Sequence, residues 1–83
     1  MTIEVLYFAW VRERIGIARE QVETGAATVA DLVEELKVRE ERYAAAFADV
    51  SALRVAVDQE LCEFDAPLAG AREVAFFPPM TGG

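Results

Sequence analysis

The stretch Phe76-Phe77-Pro78-Pro79-Met80-Thr81-Gly82-Gly83 closes the sequence, and the group it offers for chemistry is the main-chain carboxylate of Gly83. Each proline holds φ at about −65° and favours an extended path away from whatever precedes it. Residues 80–83 then reach at most ~13–14 Å. With no bulky side chain at the tip, such a segment can enter a narrow channel, because glycine lets a partner approach the backbone closely. A carboxylate is inert until activated, for instance as an acyl phosphate or adenylate, after which a nucleophile can take the acyl group. On its own the segment reads as a carrier or conjugated terminus, or as a flexible end that contains glycine by chance.

Other chemistries have little to work with. The sequence contains no histidine, which removes imidazole acid–base catalysis, Ser-His and Cys-His nucleophiles, and the commonest transition-metal ligand. Carboxylate pairs remain, but 83 residues leave little room for a cleft that would shift their pKa values. A free-standing enzyme is not expected, and neither is a metal. Cys62 is the single cysteine; it forms no internal disulfide, fits a reducing cytoplasm, and reads as a buried, inert thiol. The net charge of −7 repels phosphate backbones, so no nucleic-acid partner is expected. That charge serves solubility or steers the chain toward a basic pocket. No stretch approaches the ~20 apolar residues of a membrane span, and Glu4 stands where a secretory signal would be basic. A cytoplasmic protein without a membrane partner is the expectation.

The positioning elements follow from periodicity. The β-branched and aromatic run Ile3 to Phe8 predicts a strand with both faces apolar, hence a central one. Val11 to Gly16 predicts a short helical turn, and Arg19 to Glu23 a second strand in a hairpin with the first. Thr28 is a good N-cap, with Asp31 placed for a reciprocal bond. Val29, Leu32, Val33 and Leu36 form one apolar stripe, with Glu34, Glu35 and Lys37 toward water. A shorter helix follows a break near residues 39–42. Strands are expected over Arg54 to Val57 and Glu60 to Cys62, joined by a tight turn at Asp58-Gln59. Glu73 to Phe77 forms the last strand, which Pro78 stops. The fold class is therefore α+β, a mixed sheet of about five strands with one main helix across one face, in the layout of a β-grasp. Residues 1–77 make the domain and residues 78–83 an extended tail.

Alternation in the last strand puts Val74 and Phe76 under the helix and Phe77 outside, with Phe8 beside it and Leu61 in reach. Either these residues form an exposed apolar patch at the root of the tail, or a helix over 43–52 folds across them as ordinary core.

The segment EVAFFPPMTGG with the preceding DAPLAGA closely resembles the end of the small subunits of molybdopterin synthase, the sulfur carriers of molybdenum-cofactor biosynthesis. VLYFAWVRERIG resembles their first strand and turn, and VAVDQEL their central strand and hairpin. Gly-Gly alone is shared by all ubiquitin-like carriers, whereas the double proline distinguishes this group from the thiamine sulfur carriers. The resemblance implies a ubiquitin-like β-grasp with no bound cofactor. It implies that an E1-like adenylyltransferase uses ATP to adenylate Gly83, and that a sulfur donor protein then supplies the sulfur of a C-terminal thiocarboxylate. The tail, from Pro78 and Pro79 through Met80, Thr81 and Gly82, would enter the large synthase subunit of a heterotetramer, where the sulfur helps build the dithiolene. It further implies that Phe8, Leu61 and Phe77 dock on that partner, with Arg12 near the contact. Asp58 replaces a common asparagine, GAREVAF replaces a more usual Gly-Asp-Glu-Val, and Met80 replaces a small or branched residue. The rival readings are a carrier for another pathway, a protein modifier conjugated through Gly83, and a β-grasp adaptor with an incidental tail.

Overall fold

In β1 (Thr2–Tyr7) every second side chain is sealed: Ile3, Val5 and Tyr7 are buried while Glu4 and Leu6 are half-exposed. The computed structural model describes residues 1–79. After β1 come α1 (Ala9–Ile15), β2 (Arg19–Glu23), α2 (Val29–Lys37), α3 (Glu41–Ala46), a 3-10 turn (Val50–Ala52), β3 (Arg54–Val57), β4 (Glu60–Cys62) and β5 (Glu73–Phe77). The five strands lie in the order β2-β1-β5-β3-β4. β1 and β5 run parallel, with Tyr7 beside Phe76, and the other pairs are antiparallel. The two strands with the richest apolar sequence are thus interior neighbours, as expected from apolar residues on both of their faces. No helix among the described residues is long and apolar enough to cross a membrane.

The helix α2 presents Val29, Leu32, Val33 and Leu36 to the core. Thr28 Oγ1 accepts the Asp31 N–H at 3.2 Å. The expected return bond from Asp31 is not formed among the described residues. Instead the loop before β5 closes on the helix start: the Val29 and Ala30 N–H groups donate to the Ala66 and Phe64 carbonyls at 3.1 and 2.7 Å. A docked loop has satisfied donors that a helix end would otherwise leave to side chains or water. Glu35 also departs from its expected place in water; it accepts a 2.6 Å bond from Thr24 Oγ1, fastening α2 to the end of β2.

One helix does not cover the inner face alone. α1 is a full helix because Val11 and Ile15, four residues apart, both reach the core. Gly16 ends it at φ 95°, and the Arg42 guanidinium donates to the Ile15 carbonyl at 2.7 Å. α3 packs against α1 and α2, and it carries Tyr43 and Ala46 into the same core, followed by Phe47. The ring of Phe76 stacks with Tyr7 at 6.3 Å and meets Phe47 edge-on at 4.9 Å. Each such burial contributes about 1.5–3 kcal/mol. Because α3 lies on this face and ends at Ala46, no helix among the described residues crosses the opposite face.

Candidate functional site: the outer sheet face and the tail root

Register defines the uncovered face. Ala56 opposes both Ala75 of β5 and Leu61 of β4, and Leu6 of β1 stands beside Ala75. These four side chains form one row across four strands. Ala56 and Ala75 are each 8% exposed, yet neither belongs to the core cluster; their small side chains lie close to the backbone and make a shallow floor. Leu61 stands at one end of the row, 75% exposed. Glu4 and Glu73, paired across β1 and β5, bound the apolar strip on one side.

On the other side the strip runs into the tail root. Phe8, Ala9, Ala75, Phe77, Pro78 and Pro79 line a hollow of about 430 Å³. Phe8 is 46% exposed, and Phe77, Pro78 and Pro79 are half-buried. The Phe8 N–H donates to the Phe76 carbonyl at 3.1 Å, the last rung between β1 and β5 before the prolines.

The structure therefore brings Phe8, Phe77, Pro78 and Pro79 together. Leu61 shares the face but lies two strands from β5, about 10 Å across at the usual strand spacing. Arg12 is exposed on α1 and is not among the hollow's lining residues. Met80, Thr81, Gly82 and Gly83 lie outside the described residues. Alternation already sets Leu6 on the side of Phe8 and Ala75 on the side of Phe77, although neither was named as a docking residue; Ala56 and Ala9 were missed. Ala56 pairs with Ala75, so the same alternation carried into β3 could have found it. Ala9 carried no such signal.

Cys62 is half-buried rather than sealed, and burial pushes its thiol up from the ordinary cysteine value. No group of three or more His, Cys, Asp or Glu able to hold a metal exists among the described residues. The hollow is lined by apolar side chains, which suits docking rather than proton transfer.

A mixed sheet with parallel central strands β1 and β5, an antiparallel neighbour on each side and a helix laid across one face is the ubiquitin-like β-grasp. Over its whole length the chain superposes on SAMP1 from Haloferax volcanii, with a TM-score of 0.78, 25% identity and all of both chains covered. The chain belongs to the ThiS family, whose model matches residues 5–83. It is 44% identical to the molybdopterin synthase sulfur carrier subunit of Escherichia coli K12, covering 98% of this chain and 99% of that one. It is 37% identical to the protein of the same name from Haemophilus influenzae, with the same coverage.

Proposed function

We propose that this chain is a sulfur carrier of molybdenum-cofactor biosynthesis, acting as the small subunit of molybdopterin synthase. The observation that carries the reading is the 44% identity over 98% of the chain to a relative bearing that name. In this reading the Gly83 carboxylate attacks the α-phosphate of ATP in an E1-like adenylyltransferase, releasing pyrophosphate. Adenylation makes the acyl carbon electrophilic, and sulfide-level sulfur released by a donor protein attacks it, forming the C–S bond as the C–O bond to AMP breaks, to leave a thiocarboxylate. That sulfur is a good nucleophile. The tail delivers it into the large subunit, where it enters the dithiolene of molybdopterin.

The residues support each role in physical terms. Glycine at the tip suits both active sites, since neither must accommodate a side chain. The apolar row and the hollow supply a docking face whose burial removes Phe8, Leu61 and Phe77 from water. They stand beside the prolines, so docking and tail delivery are mechanically joined.

Reconstitution with the large subunit tests the reading. A chain lacking Gly83 should keep its fold by circular dichroism and support no dithiolene formation. Retained sulfur transfer by that chain would count against the proposal.

A further inference from the structure

Three non-glycine residues among those described have positive φ: Ala9 at 52°, Asp58 at 49° and Gln59 at 71°. Asp58 and Gln59 are the two central residues of the β3–β4 hairpin, where such angles match the strand twist. The Asp58 carboxylate also accepts the Arg72 and Glu73 N–H groups at 2.9 and 3.0 Å. Ala9 has neither justification. A Cβ in this region crowds the backbone, glycine avoids the clash, and the chain uses glycine for positive φ at Gly16 and Gly70.

The methyl group of Ala9 has no place in the core. Ala9 is exposed, and it stands outside both the core cluster and the side chains packed against it. It lines the hollow with Phe8, Phe77, Pro78 and Pro79. Its backbone is fixed on both sides: Phe8 N–H holds the Phe76 carbonyl at 3.1 Å, and the Phe8 carbonyl accepts the Val11 N–H at 3.1 Å. The wall it forms is thus tied to the strand that leads into the prolines.

We propose that Ala9 is a positioning residue whose methyl group, kept at a disfavoured backbone angle, is the wall that aims Pro78-Pro79 away from the sheet. The inference rests on the carrier reading, because aim matters only if the residues beyond enter a partner's active site. An outlier kept where glycine would be easier points to use at that place.

The test compares Ala9→Gly, which removes the wall and relieves the angle, with Ala9→Ser, which keeps the Cβ. Ala9→Gly should melt no lower than the parent, and the Cα–H groups of Pro78 and Pro79 should lose order in carbon-13 relaxation. With preformed thiocarboxylate and saturating large subunit, its kcat should fall roughly tenfold, as expected when a reacting group is slightly misplaced. KM for the large subunit should change less, and Ala9→Ser should restore the rate. An unchanged kcat, or a lower Tm in Ala9→Gly, overturns the assignment. If the parent chain itself transfers no sulfur, the carrier reading fails instead, and the order of Pro78 and Pro79 alone decides the role of Ala9.

Discussion

Ala56 and Ala75 face each other across the β3–β5 ladder on the side that no helix among the described residues covers, each 8% exposed. Larger residues there would raise the floor between Leu61 and Phe77 and close the shallow strip. The pair makes the outer face flat enough for another protein's surface to lie on it.

Phe77→Asp tests whether that surface exists. The side chain lies outside the core cluster, so the fold should survive with an unchanged circular dichroism spectrum. Docking would bury an unpaired carboxylate, and the loss of affinity for the large subunit should be about 2 kcal/mol or more. Calorimetric titration giving the parent affinity would remove Phe77 from the interface.

Glu20 holds the inner face together from the edge strand. Its Oε2 accepts the Tyr7 and Tyr43 hydroxyls at 2.8 and 2.6 Å, and both tyrosines are 1% exposed. Glu20→Ala should therefore destabilise by about 1–3 kcal/mol for each phenol left without an acceptor. Replacing both tyrosines with phenylalanine in the Glu20→Ala background should recover part of that loss, because no donor then remains buried. Urea denaturation measures both; a Glu20→Ala midpoint equal to the parent's would contradict the assignment.

The same cluster sets an alkaline limit. Burial first, and then the hydrogen bond to Glu20, push the Tyr43 phenol up to about 12, and the same causes raise Tyr7. Above pH ~10 tyrosines of the unfolded chain lose protons that the folded chain retains, which favours unfolding. The contribution is complete below pH ~10 and disappears as pH rises through the folded value. The urea midpoint should fall between pH ~10 and ~12, and less steeply in the Tyr7→Phe/Tyr43→Phe variant. Equal slopes in the two proteins would show that the phenols do not cause the loss.

Asp58 joins the hairpin to β5 through the Arg72 and Glu73 N–H groups while occupying a positive φ. Asn tolerates that angle and offers the same acceptor, so Asp58→Asn should be nearly neutral in thermal denaturation. Asp58→Ala loses the acceptor and tolerates the angle poorly, and should cost about 1–3 kcal/mol. A neutral alanine variant would mean that water replaces the carboxylate.

The residues most legible in the sequence were those whose burial follows a period. Val29, Leu32, Val33 and Leu36 announced α2, and Val74 against Phe77 announced which side of β5 faces the core. Pro78 marked the end of that strand by lacking a ladder donor. Less legible were contacts between segments distant in the chain. Glu35 looked like a solvent-facing helix residue because nothing nearby reveals that Thr24 will be set beside it. Asp31 looked like half of a capping box because the loop at Phe64 and Ala66 could not be foreseen to take the helix donors. Tyr7, Glu20 and Tyr43 converge from β1, β2 and α3, so only the assembled sheet defines their network. Ala9 was invisible for another reason: composition gives no sign that an alanine holds a glycine's backbone angle.

Mass spectrometry of the chain, produced with an E1-like adenylyltransferase, ATP and a sulfur donor, addresses Gly83 itself. The expected product carries sulfur in place of one oxygen of the Gly83 carboxylate, and Gly83 deletion removes the signal. An isopeptide bond from Gly83 to a lysine, or an unmodified carboxylate under every condition, would contradict sulfur carriage.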